Sequence, residues 1–233
     1  MKAKNIQAGL LLGAALSILG CGASEESPSE SGMGRTSAAL TPTQPFARPN
    51  IYDFSASQRA TLANAIVAFI DEDVLAEHAG GHDWHHPDVG ELFFTKHHDY
   101  LNQLESYLLG NGFSQFVPVP EWDPGDPIPS EFLILDPLVS GALNQNPNMP
   151  IPPQFADTKL CNFANASLLA QSIEDWHDDV HGSVGGAMGS IRTAPGAPIF
   201  WLWHGLLDDT YHERTWRCHT APAIFASIVA YAL

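Results

Sequence analysis

The stretch Trp176-His177-Asp178-Asp179-Val180-His181-Gly182, followed by Gly185-Gly186-Ala187-Met188-Gly189, decides how this chain is read. Histidines four residues apart on a helix share one face, with Cβ atoms about 5–6 Å apart, so both imidazoles can reach one ion. After a Pro/Gly loop comes Ala197-Pro198-Ile199-Phe200-Trp201-Leu202-Trp203-His204-Gly205-Leu206-Leu207-Asp208. A third imidazole from a second helix, His204, completes a three-nitrogen site with a position left open for chemistry. Phe200 stands one turn before His204 and Asp208 one turn after it. An aspartate there is placed to orient a ligand or a helix cap through an outer hydrogen bond.

Outward from this stretch, the chain reads as mainly helical, a four-helix bundle around the metal centre with long Pro-rich loops. Ser55-Ala56-Ser57-Gln58 opens a helix carrying Leu62, Ile66, Phe69, Ile70 and Leu75 at helical spacing; it runs towards His78 and stops at Gly80-Gly81. A second helix, near Glu91 to Leu109, carries Phe94, His97, Leu101, Leu104 and Leu108 and ends at Gly110-Asn111-Gly112. Residues 113–160 are rich in proline and predict irregular loops, with at most short helices around Phe132–Leu143. A third helix is expected from Ser167 to His181, breaking at Gly182, and a fourth from Pro198 to Arg214. Ala221 to Tyr231 reads as a short final helix.

The 233 residues carry a net charge of −16, or −18 once Lys2 and Lys4 are removed with the leader. That acidity argues against nucleic acid and anionic lipid as electrostatic partners. Residues 1–21 read as a processing signal: Lys2 and Lys4 form a short basic region, and the apolar run from Ala8 to Leu19 is too short to span a membrane. Ile18-Leu19-Gly20-Cys21 resembles a bacterial lipoprotein signal, in which Cys21 becomes the lipidated first residue. The chain is then exported and held to the cell envelope only by a lipid anchor on Cys21. Residues 22–48, rich in Ser, Glu, Thr and Pro, read as a flexible tether, and residues 49–233 as the folded domain. Cys161 and Cys218 remain as a pair, for which export predicts a disulfide; two free thiols are the alternative.

All eleven histidines lie between residues 78 and 219, and nine fall in three groups: His78, His82, His85, His86, His97 and His98; His177 and His181; and His204. In this pattern the sequence resembles the tyrosinase-like type 3 copper proteins. The second copper motif of that family has the form HxxxH, a Gly-Gly-x-Met turn, and a third histidine followed four residues later by Asp. Here these are His177, His181, Gly185-Gly186-Ala187-Met188, and His204 with Asp208, with Trp203-His204 standing where the family has two histidines. Phe93-Phe94-Thr95-Lys96-His97-His98-Asp99-Tyr100-Leu101, with Glu105, is similar to the first copper motif, and Val117-Pro118-Val119-Pro120-Glu121-Trp122-Asp123 to its Leu-Pro-Tyr-Trp-Asp. The resemblance spans about residues 55–216. It departs in placing His98 at a family arginine and Lys96 at a usual tryptophan.

The resemblance implies two copper ions, with O2 as co-substrate, held by His78, His86 and His97 at one ion and by His177, His181 and His204 at the other. The middle ligand of the first group normally lies nine residues before the third, where this chain has Asp88; a small insertion makes it His86, with His85 or His82 as alternatives. It further implies oxidation of small phenols or catechols to o-quinones, with Phe200 packed near the metals, and leaves room for a copper-delivery partner. Monophenol hydroxylation in the family is associated with an Asn beside the first histidine of the second motif and an upstream Glu. This chain has Asp178 and Leu168 there, which makes a diphenol or aminophenol oxidase at least as plausible. Two other classes stand against this reading. One is a copper- or oxygen-binding protein without turnover. The other is a zinc hydrolase, which lacks HExxH and leaves the remaining histidines unexplained.

Overall fold

Helices form where the sequence supplies both a cap and a buried stripe. The computed structural model describes residues 47–85 and 90–230, with side chains described for residues 47–82 and 90–218. The leader, Cys21 and the tether through residue 46 lie outside the described residues, as do His86 and the side chain of His85. The described residues form five α-helices: α1 (Ala56–Phe69), α2 (Glu72–His85), α3 (Leu92–Gly110), α4 (Ala166–Val184) and α5 (Pro198–Ala230). The described residues contain no strand, only a parallel bridge between Asn50 and Glu121. The protein is mainly helical, and α2, α3, α4 and α5 supply its clustered histidines. Among the described residues, no helix is long and apolar enough to cross a membrane.

The first expected helix is in fact two. Ser55 and Gln58 form a reciprocal capping box that starts α1. Ile70 is then extended, and the Asp71 carboxylate accepts from the backbone N–H groups of Asp73 and Val74 at 3.0 and 2.9 Å, capping a new helix. The capping chemistry of Asp71 thus interrupts a periodicity that looks continuous. Gly80-Gly81 does not stop α2, which runs to His85. Glycine costs roughly 1 kcal/mol in a helix relative to alanine, an amount that packing of α2 on α3 offsets.

Two further boundaries move for physical reasons. Helix α4 starts at the Asn165 cap and passes through Gly182 to Val184, which is fully buried. Its stop is Gly185, whose φ of +63° is the left-handed conformation a terminating residue needs. Helix α5 is one element to Ala230 rather than two, and an i,i+4 pair between Glu213 and Arg217 bridges the segment where a break is expected. The long loop between α3 and α4 is pinned by 3-10 turns at Ser114–Phe116, Ser130–Phe132 and Pro153–Phe155. Each inserts a phenylalanine, Phe116, Phe132 or Phe155, fully into the core. Burying such a ring is worth roughly 1.5–3 kcal/mol, so the irregular backbone is held by its side chains.

Cys161 and Cys218 form a disulfide with Cα atoms 5.5 Å apart, joining the loop before α4 to α5. The 57-residue separation encloses His177, His181 and His204.

Candidate metal centre

Five imidazoles reach the centre, and in each the Nδ1 atom faces an oxygen. His78 Nδ1 lies 2.8 Å from the Ile191 carbonyl, His97 Nδ1 2.6 Å from that of Phe93, and His204 Nδ1 2.7 Å from that of Phe200. His181 Nδ1 is 3.0 Å from the Met188 carbonyl, and His177 Nδ1 is 3.0 Å from Asp178 Oδ1. An oxygen acceptor requires Nδ1 to carry the proton, which leaves each Nε2 as a lone-pair donor.

Those donors converge. His177 Nε2 lies 3.2 Å from His204 Nε2 and 3.1 Å from His181 Nε2. His97, His177 and His204, all buried, offer nitrogen atoms within 4.8 Å of one another. Ligands held about 2.0–2.1 Å from a tetrahedral ion stand roughly 3.3 Å apart, so the two short edges have the dimensions of a coordination shell. Burial pushes His181 down to about 4, and burial together with its histidine neighbours holds His204 well below the ordinary imidazole range. Both rings are therefore neutral at pH 7, the form that binds a metal. An all-imidazole set of this kind suits copper.

His78 stands on the other side of Phe200. Its ring meets the Phe200 ring edge-on at 5.0 Å, while His204 packs against the same phenylalanine at 4.0 Å. Phe200 is fully buried and touches both rings. The His82 ring lies 5.8 Å from that of His78, so of the three alternatives for the middle ligand His82 is the one whose side chain is described, and it stands beside His78. A cavity of about 210 Å³ is lined by His78, His82, His177, His181 and Asp178, among others.

The loop after α4 explains the Gly-Gly-x-Met turn. Gly185 and Gly186 both have positive φ, and a Cβ on Gly186 would stand 2.4 Å from the Ala142 carbonyl oxygen. Only glycine lets the chain fold back this tightly. The fold-back buries Met188 and turns its carbonyl to His181.

Trp203 is a packing residue: fully buried, it lies edge-on to Trp176 at 4.8 Å and stacks near-parallel to His177 at 6.2 Å. Asp208 points away from the converging nitrogens, to Arg48 and His98. Its Oδ2 accepts from Arg48 Nη2 at 2.7 Å and Nε at 3.2 Å, and its Oδ1 lies 2.8 Å from His98 Nδ1. Where the family pattern has arginine at position 98, a guanidinium reaches this carboxylate instead from Arg48. Lys96 is surface-exposed and pairs with Asp99.

Arg48 is what sequence reading missed. It is 5% exposed, binds Glu105 at 2.6 Å and Asp208 at 2.7 Å, and donates to the Val119 carbonyl. The expected tether ran through residue 48, and no local pattern marks a lone arginine there as buried. The surplus of acids at Glu105 and Asp208 was the one available signal.

The model of the common central domain of tyrosinase matches residues 136–217, which hold His177, His181 and His204 in the arrangement just described. The chain is tyrosinase-like. Over those residues it is similar to the type 3 copper proteins, a family whose central domain implies copper at a histidine cluster of this kind. The match covers roughly a third of this tyrosinase-like chain and leaves out the segment from His78 to His98. No curated relative matches the chain.

Proposed function

We propose that this tyrosinase-like protein is a dicopper oxidase that converts small phenols, catechols above all, to o-quinones with O2. The observation that carries the reading is the convergence of the His177, His181 and His204 Nε2 atoms at 3.1–3.2 Å, with His78 across Phe200 on the same cavity. His177, His181 and His204 would hold one copper, and His78 and His97 with His86, or with His85 or His82 in its place, the other. A bound copper pair would supply two-electron redox chemistry with O2. Oxidation of two catechols releases four electrons and four protons, which reduce one O2 to two waters.

The chain's own residues bind, orient and exclude. The carbonyls of Phe93, Phe200, Met188 and Ile191 fix four imidazole tautomers. Asp178 fixes the fifth and is the one carboxylate among the described residues lining the cavity, placed to accept a catechol proton. Phe200 keeps water from the region between His78 and His204. Because Asp178 stands where tyrosinases carry Asn, and Leu168 where they carry Glu, diphenols are favoured over monophenols.

The leader Lys2 to Cys21 supports export and lipid anchoring, which intact-mass analysis of the purified protein checks directly. For the site, copper content is measured together with oxygen uptake on catechol and on a monophenol. Two coppers per chain held by the histidine cluster, with catechol turnover, is the expected result. Copper binding without turnover would favour a carrier or storage protein, and zinc in place of copper would overturn the oxidase reading.

A further inference from the structure

A second group of potential metal ligands lies on the outer side of α3 and α5. His98 follows His97 directly, so it projects about 100° around α3 from the buried ligand. His212 sits four residues after Asp208 on α5. His98, Asp208 and His212 each offer one ligand atom, all within 4.8 Å of one another. His98 Nδ1 is 2.8 Å and His212 Nε2 3.5 Å from the same atom, Asp208 Oδ1, and the two rings lie 5.2 Å apart at 68°.

The division of labour on Asp208 makes this more than a chance surface cluster. Arg48 takes Oδ2 through two N–H groups, which fixes the carboxylate plane and turns Oδ1 to the histidine pair. The carboxylate is fully buried, while both imidazoles are about one-third exposed. One rigid anionic ligand therefore meets two adjustable imidazole ligands at the edge of solvent. Glu105 and Asp209 flank Arg48 at 2.6 and 3.8 Å, so three carboxylates outweigh one guanidinium and the surroundings still favour a cation.

We propose that His98, Asp208 and His212 form a separate mononuclear site for a divalent transition ion, copper(II) or zinc(II), on the outer face of the protein. Two imidazoles and one carboxylate with open positions suit these ions, and copper(II) binds such nitrogen and oxygen donors more tightly than its first-row neighbours. Ligands bound at about 2.0–2.2 Å stand roughly 3.3 Å apart, so His98 Nδ1 opens slightly from 2.8 Å and His212 Nε2 closes slightly from 3.5 Å, within the reach of side chains one-third exposed. The site needs no residue of the dicopper centre.

Electron paramagnetic resonance on the full chain loaded with copper(II) tests this. A coupled copper pair is silent, whereas the outer ion gives a signal of one copper per chain with nitrogen couplings. The expected result is that this signal disappears in His212→Asn and His98→Asn and persists in His177→Asn. No third ion, or a signal unchanged in both outer variants, overturns the outer site. A signal lost only in His177→Asn assigns the copper to the central cluster, which overturns the outer site and the coupled pair separately. Since both outer positions are part-exposed, circular dichroism of the variants establishes that the fold is retained.

Discussion

Met188 and Ile191, three residues apart on one loop, hold imidazoles from different parts of the chain: the Met188 carbonyl accepts from His181 on α4, and the Ile191 carbonyl accepts from His78 on α2. One short backbone segment thus orients a ligand from each of the two histidine-bearing regions. Displacing that loop moves both rings together. This couples the tight Gly185-Gly186 turn to the geometry of the whole centre.

Asp178 holds His177 by a hydrogen bond that Asn can replace and Ala cannot. Loss of such an outer partner typically costs about 10–100-fold in metal affinity or activity. Catechol oxidation by Asp178→Ala is expected to fall within that range, with Asp178→Asn retaining most of the copper. Copper titration alongside steady-state rates checks both, and equal losses in the two variants would remove the orienting role.

Arg48 neutralises two buried or half-buried carboxylates, Asp208 and Glu105. Removing one partner of a buried ion pair strands the other charge and costs about 3–5 kcal/mol. Arg48→Met is therefore expected to be strongly destabilised in urea melts. Arg48→Met combined with Asp208→Asn should recover part of that loss.

Glu121 is pushed up to about 8, first by burial and then by Asp209, Asp123 and Asp157. Its folded value lies above its unfolded value, so the folded state binds the proton more tightly. That contribution is fully present below the ordinary carboxylate range near pH 4.5 and is lost as pH rises towards 8. Glu121→Gln, which mimics the neutral acid, should match the native protein at pH 4–5 and exceed it at pH 8 by on the order of 1–3 kcal/mol. Melting the two proteins side by side across that range gives the difference directly.

The Cys161–Cys218 disulfide closes a loop that contains three of the proposed ligands, His177, His181 and His204. Cross-linking over this separation stabilises a fold by about 2–4 kcal/mol, chiefly by restricting the unfolded chain. The double variant Cys161→Ser, Cys218→Ser is expected to melt at a lower temperature and to show the same copper spectrum once loaded. A changed spectrum would mean that the bond shapes the centre itself.

The sequence by itself determined the helical class, the i,i+4 pair His177 and His181, and the third histidine His204. These follow from periods and spacings that a helix enforces locally. It could not set the ends of α1, α4 and α5, because Asp71, Gly182 and the Glu213–Arg217 pair act through capping, burial and tertiary support that no spacing expresses. Tertiary structure alone decided that Asp208 turns from the metal cluster to Arg48 and His98, and that Trp203 packs behind His177. It also brought His78 and His181 against carbonyls of one loop. Those relationships join residues far apart in the chain, and they exist only once the core has fixed which faces of α2, α3, α4 and α5 meet.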